Sequence, residues 1–256
     1  MMIIDCCADF HGHYPVLEGG DLLILAGDYT KHDIMIEHHE FLCWIQDQKY
    51  KKIVFIAGNH DHWMQNNITQ WYCKVKPDGI GNFNYYCDIE YLCDSGTEFE
   101  YEERDPVDDG RVTYDVHWTN KKKLKIWGSP WTLEFEGMNP ACKAFTGDED
   151  LLASKFKMIP DDIDILVTHS PPYKILDEIH DWRYCENKSV GSKELSKQIE
   201  RVRPLVHVFG HIHEGYGQVD DYFECCHGMT RRIKYINCSH VDEDYIAANV
   251  SIRIVL

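Results

Sequence analysis

At 256 residues, with 44% apolar and 12% aromatic side chains, the chain can bury a substantial core without disulfides and does not read as disordered. Its formal net charge of -17 argues against a broad, sequence-independent grip on nucleic acid, which needs Lys and Arg. An anionic substrate stays open to it, because a bound metal can dominate the charge of a site. The 11 cysteines are scattered, with no Cys-x-x-Cys, and read as reduced, buried thiols. No stretch is apolar for long enough to span a bilayer and no signal peptide is read at Met1, so a soluble, cytoplasmic protein is expected.

In chain order, residues 2–8 predict a short strand broken by Asp5, followed by the loop Asp9-Phe10-His11-Gly12-His13. Residues 21–26 predict a buried strand ending at Gly27-Asp28. Over residues 34–48, Ile34, Ile36, Phe41, Leu42, Trp44 and Ile45 recur at near-helical spacing. Residues 52–57 predict the next buried strand, which stops at Gly58-Asn59-His60-Asp61. Strand, helix, strand in this order suggests parallel pairing through a right-handed crossover.

Residues 63–84 are polar with scattered aromatics and predict a helix in their first part. Residues 89–92 and 97–101 predict strands joined by the turn Asp94-Ser95-Gly96. Residues 102–110 read as an acidic surface loop, 111–118 as a strand and Lys121-Lys122-Lys123 as the turn after it. Together these suggest a hairpin extension at the sheet edge.

Residues 148–158 predict a helix, with Leu151, Leu152, Phe156 and Met158 as its apolar residues. Residues 163–168 predict a buried strand ending at His169-Ser170-Pro171-Pro172. A loop over 178–191, a helix over 192–202 and a strand over 204–209 follow, closing on Gly210-His211-Ile212-His213. The tail, with strands over 222–225, 234–237 and 250–256, reads as an antiparallel run. No repeat or linker is visible, so one α/β domain over 1–256 is expected.

Five strand ends thus carry polar residues of one chemical kind: Asp9 with His11, Asp28, Asn59 with His60, His169, and His211 with His213. Any one of them alone is an ordinary turn, since Gly, Asn and Asp favour turns. In an open α/β sheet, however, ligands bind at the C-terminal ends of strands. If these strands share a sheet, the side chains converge on one rim, where so many desolvated polar groups need an explanation. Metal binding supplies one. Imidazole with carboxylate and amide oxygen suits Mn²⁺, Fe, Zn²⁺ or Ni²⁺ better than Ca²⁺, and no thiolate is involved. Seven donors are too many for one tetrahedral site and suit two ions sharing a carboxylate. Two ions a little under ~4 Å apart can clamp a phosphoryl group and supply hydroxide at neutral pH, which is chemistry for phosphate ester hydrolysis.

The motifs Asp9-x-His11, Gly27-Asp28, Gly58-Asn59-His60-Asp61, His169 and Gly210-His211-x-His213 resemble, in order, the five motifs of the calcineurin-like metallophosphoesterase superfamily. Residues 125–132, 167–173 and 207–217 look like the metallophosphoesterase-domain-containing (brain 239-type) phosphodiesterase subfamily. The likeness runs from Met2 to about Ser239, with residues 102–123 as an insertion. It implies a four-layer α/β/β/α sandwich with two central mixed sheets. It also implies two divalent ions, with Mn²⁺ the expectation and Fe, Zn or Ni as alternatives. By resemblance, Asp9, His11 and His213 hold one ion, Asn59, His169 and His211 the other, and Asp28 bridges them.

His60 is left without a metal, to stabilise the transition state or protonate the leaving oxygen, with Asp61 orienting its ring. The activity expected by resemblance is hydrolysis of small phosphodiesters, cyclic nucleotides among them, by a metal-bridging hydroxide. Phosphomonoesterase or protein Ser/Thr phosphatase activity on the same metals is the alternative, and a non-catalytic interaction module the distant one. Trp131, Pro172 and Tyr173 read either as a wall that stacks a nucleobase or as core. Ser192 reads as a phosphate contact or a plain N-cap. His13 and His62 are rim residues, and His207 a structural histidine within a strand.

Overall fold

The computed structural model describes residues 2–66, 88–103, 120–135, 138–181, 185–224 and 230–256. Strands β1 (Ile3–Cys7), β2 (Gly20–Ala26), β3 (Tyr50–Ile56) and β4 (Asp88–Tyr91) are parallel neighbours, and helix α1 (Met35–Gln46) connects β2 to β3. A long edge hairpin follows, β5 (Ser95–Glu103) with β6 (Asn120–Ser129). The short pair β7 (Thr132–Leu133) and β8 (Thr146–Gly147) precedes helix α2 (Glu149–Phe156) and β9 (Ile165–Thr168). Next come a ribbon of β10 (Glu178–Asp181) and β11 (Glu186–Ser189), helix α3 (Lys193–Val202) and β12 (Val206–Phe209). The chain ends with β13 (Gly217–Glu224), β14 (Thr230–Asn237) and β15 (Ile252–Val255).

Two mixed sheets result, β15-β1-β2-β3-β4 and β13-β14-β12-β9-β6-β5. Successive side chains of a strand face opposite ways, so a strand buried on both faces feeds two cores. Leu22 and Ile24 of β2 join Ile126, Val167 and Val208 in the core between the sheets. Leu23 and Leu25 instead pack with Phe41 and Ile45 of α1 on the outer face. On the far side, Leu166 and Phe209 pack with Leu152 and Phe156 of α2 and Leu195 and Ile199 of α3. The architecture is the four-layer α/β/β/α sandwich expected. Each fully buried branched side chain contributes roughly 1.5–3 kcal/mol, which helps offset the cost of the polar groups the fold keeps dry.

Helix starts follow their caps: Asp148 accepts from Leu151 N at 2.9 Å, and Ser192 Oγ from Leu195 N at 3.2 Å. The apolar stripe of α1 begins later than its spacing predicts, because Ile34 and Ile36 are exposed and Phe41 and Ile45 carry the packing.

Four local expectations are corrected. The strands on either side of Asp94 do not form a hairpin: β4 lies parallel to β3 in the first sheet, and β5 belongs to the second. Lys52, in β3, holds β4 there through Asp88 (2.9 Å) and Glu90 (2.7 Å). Lys121, Lys122 and Lys123 are not a turn but part of β6, opposite Glu102, Tyr101 and Glu100, where cross-strand acids compensate the lysines. Residues 178–191 contain the β10–β11 ribbon rather than a plain loop. In the tail, β13 and β14 are antiparallel, but β15 crosses back to pair with β1. The strand expected at 111–118 lies outside the described residues. Among the described residues, no helix is long and apolar enough to cross a membrane.

Candidate metal centre

The five strand ends do not share one sheet, as the bare sequence suggested, but meet across the seam between two. The ends of β1, β2 and β3 bring Asp9 and His11, Asp28, and Asn59 with His60; β9 and β12 bring His169, and His211 with His213. Backbone bonds lock the seam: Ala8 N donates to Cys238 O at 2.9 Å, and His240 N to Ala8 O at 2.8 Å. Glycines flank the donors because nothing larger fits. A Cβ on Gly58 would stand 2.2 Å from Asp28 Oδ1, and one on Gly210 2.2 Å from Asp9 Oδ2. Asp9, His11, Asp28 and His211 themselves adopt left-handed backbone (φ 52, 44, 55 and 70°). Such strain costs on the order of 1–3 kcal/mol per residue and gathers at functional sites.

Three ligand groups emerge, each with donor atoms within 4.8 Å of one another: Asp9, His11 and His213; His11, Asp28 and His60; Asp28, His169 and His211. The first has the residues expected for one ion; the third has His169 and His211 of the other expected set together with Asp28, which stands between the two. Its Oδ2 is 3.8 Å from His11 Nε2 and 3.4 Å from His169 Nε2. Asn59 Oδ1 reaches His169 Nε2 at 2.9 Å, turned that way by its own amide, which donates to Cys142 O at 3.0 Å. Asp9 is fixed by His211 N (2.9 Å) and by the Ser239 hydroxyl (2.6 Å).

The imidazoles are set up as ligands. His11 Nδ1 faces Thr30 O at 3.2 Å, His169 Nδ1 faces Ala26 O at 2.9 Å and His213 Nδ1 faces Asp242 O at 2.9 Å. A carbonyl only accepts, so each Nδ1 carries the proton, and Nε2 is the nitrogen left for the cluster. His11 Nε2 is buried with no hydrogen-bond partner among the described residues. Burial pushes His211 down to about 3 and His11 well below its ordinary value, so both are neutral, as metal ligation requires. Burial also works against a charged His169, but Asp28, with Asp9 behind it, raises its pKa to about 9. These residues fit a pair of divalent ions: oxygen and imidazole donors, a central carboxylate, and an orphaned nitrogen aimed inward.

His60 is beside the donors, its ring centroid 4.5 Å from that of His11. Asp61 does not orient it, contrary to expectation. The Asp61 carboxylate instead accepts from Gly58 N (2.8 Å), Asp28 N (3.0 Å) and the Thr30 hydroxyl (2.8 Å), stitching the loops after β2 and β3 together. Burial, with the Asp28 charge behind it, raises Asp61 to about 7 against those bonds. The group that fixes the His60 ring is Lys31 O, 3.0 Å from Nδ1.

A cavity of about 710 Å³ opens over Asp28, Asn59, His60, His211 and His213. Leu133, Phe135, Met138, Ile179, Val190 and Ile212 make its apolar lining. None of the four expected substrate contacts lines it. Trp131 donates from Nε1 to Asp94 at 2.9 Å and lies under Lys155, 4.3 Å away. Pro172 bridges to Ser192, and Tyr173 N donates to Ser192 O at 3.1 Å. Ser192 is fully buried and donates to Glu149 at 2.8 Å, so the N-cap alternative describes it. His62 accepts from Lys143 N at 3.1 Å, and His207 bonds Thr168 at 2.8 Å inside the core. The lining residues carry no local pattern; they come from loops and ribbons that only the fold assembles.

The calcineurin-like phosphoesterase family profile matches residues 2–215, and the chain belongs to that family. It is 32% identical to human metallophosphoesterase domain-containing protein 1 over 98% of this chain and 70% of that protein. It is 29% identical to the UPF0046 protein K07C11.7 of Caenorhabditis elegans over 91% of this chain and 69% of that one. Among solved structures, TT1561 of Thermus thermophilus shares the fold at a TM-score of 0.53 and 13% identity, covering 93% and 91% of the two chains.

Proposed function

We propose that the chain is a binuclear-metal phosphodiesterase acting on small phosphodiesters, with cyclic nucleoside monophosphates as the first candidates. The observation that carries this reading is the donor geometry. Asp28 stands between the Asp9–His11–His213 set, 3.8 Å from His11 Nε2, and its own group with His169 and His211, and three rings keep Nδ1 on backbone carbonyls. Bound there, two divalent ions would withdraw charge from a phosphoryl group and lower the pKa of water. Asp9, His11 and His213 would hold one, Asn59, His169 and His211 the other, and Asp28 both.

The chain's own residues supply orientation and proton transfer. His60 has Nδ1 fixed on Lys31 O, which turns Nε2 toward the site; as the doubly protonated imidazolium the ring can give its Nε2 proton to the departing oxygen or hydrogen-bond an equatorial one. No Ser or Cys nucleophile is required. The apolar lining from Leu133 to Ile212 suits the organic part of a diester better than a bare phosphate, since the cavity far exceeds one phosphoryl group.

The test is hydrolysis of bis-p-nitrophenyl phosphate and of p-nitrophenyl phosphate by metal-stripped protein titrated with Mn²⁺, followed by a cyclic-nucleotide panel. Metal-dependent turnover favouring the diester is the expected result. Preference for the monoester would move the assignment to a phosphomonoesterase. No turnover with two ions bound would leave a binding module.

A further inference from the structure

The loop after β14 lies beyond the residues the family profile matches, yet it reaches the donors. Val241 pairs with Ala247 to close it, and Asp242 is its hub. The Asp242 carboxylate accepts from Asp244 N (3.1 Å) and Ile246 N (2.9 Å). Its carbonyl accepts from Tyr245 N (3.0 Å) and from the Nδ1 of His213 (2.9 Å). One residue therefore fixes both a metal-ligand ring and the turn that presents Tyr245.

Tyr245 is held in left-handed backbone (φ 61°), a conformation a bulky residue rarely adopts and one that recurs at ligand clamps. Its ring stands edge-on to His11 and His213, with centroids 4.7 and 5.2 Å away, and lies 6.1 Å from His60. It lines the cavity and remains 37% exposed. Part of the apolar lining sits elsewhere: the Cys142 carbonyl ties the loop carrying Met138 and Ala141 to Asn59, in the other donor set. The cavity thus has two organic flanks, one beside each donor set.

We propose that Tyr245 is a specificity-determining residue whose ring seats one ester arm of a phosphodiester, while the apolar lining seats the other. This rests on the phosphodiesterase reading and adds to it. A monoester needs only one flank, so the ring separates diesters from monoesters.

The test uses Tyr245→Ala and Tyr245→Phe in the full chain reconstituted with Mn²⁺. Calorimetry reads the binding of two unreactive anions, diphenylphosphinate with two arms and phenylphosphonate with one. Tyr245→Ala is expected to keep both ions and to weaken diphenylphosphinate about tenfold, while phenylphosphonate changes less than about twofold. Tyr245→Phe, which keeps the ring, is expected to bind both as the parent does. In turnover, the alanine variant is expected to raise KM for bis-p-nitrophenyl phosphate with kcat little changed. Equal weakening of both anions, or of neither, overturns the proposal, as does loss of an ion, which would make Tyr245 a support for His213. Failure of the parent protein to hydrolyse any diester would instead remove the reading underneath.

Discussion

Asp5 in β1 and Asp9 just beyond it are both buried, at 1% and 0% exposure, and their environments could hardly differ more. Asp5 is completed by the protein. Arg253 grips it with two bonds of 2.8 Å, and the Tyr50 hydroxyl donates to it as well. Asp9 receives His211 N and the Ser239 hydroxyl, but the nearest candidates for positive charge are imidazoles, with His213 Nε2 at 3.9 Å. A buried carboxylate supplied with a permanent guanidinium is structural. One set among imidazoles, with no guanidinium or ammonium to complete it, is a place prepared for a cation from outside. A strand and the turn that follows it carry one of each.

The largest effect is expected where the outside cation is shared. Asp28→Asn should release both ions together, lowering metal affinity by at least about a hundredfold, as metal analysis after dialysis would record. Retention of one ion would show that Asp28 does not bridge. The contrast is sharpened from the other side by Arg253→Met. That variant should lose about 3 kcal/mol in urea unfolding, because Asp5 is left buried without its countercharge, yet bind two ions like the parent. A fall in metal stoichiometry would mean that the clasp at Asp5 also shapes the centre.

The smallest effect concerns protons. Without metal, both ring nitrogens of His169 face acceptors, Ala26 O and Asn59 Oδ1, and its pKa rises to about 9, so the ring is the seam's own cation. A divalent ion must displace that proton. Metal uptake at pH 7 should therefore release close to one proton from His169, and affinity should fall as pH drops below about 9. Calorimetry in buffers of different ionisation enthalpy would measure it. The sign for stability is opposite: the metal-free fold is favoured by this proton below the unfolded value near ~6.5 and loses that advantage as pH rises toward about 9. A flat stability profile across that window would contradict it.

The donors were legible in sequence because each sits at the end of a short apolar run, most of them in a turn with Gly, and His169 before Ser170-Pro171-Pro172. The strand at 52–57 followed by Gly58-Asn59-His60 is the plainest case. That these segments meet between two sheets was not legible from spacing, since pairings such as β15 with β1 join opposite ends of the chain; the family resemblance supplied it. Neighbourhood in sequence misled at Asp61, whose carboxylate turns from His60 to the amides of Gly58, Asp28 and Thr30. It misled again at Trp131 and Tyr173, aromatics near motif residues that pack elsewhere. The residues that line the cavity, Phe135, Ile179 and Tyr245 among them, come from three separate loops and ribbons with no shared pattern.

The bonds that complete the centre also set when it can exist during synthesis. Asp9 is separated by 202 residues from His211 and by 230 from Ser239, and Asp5 by 248 from Arg253. Contacts so distant in the chain form late and slowly, after their loop-closure entropy has been met. The first sheet can gather β1, β2 and β3 on the ribosome, but its carboxylates then wait in the open for partners still being translated. A nascent chain stopped before Ser239 would hold Asp9 with its hydroxyl partner missing and β1 with an unpaired edge, the kind of surface to which chaperones respond.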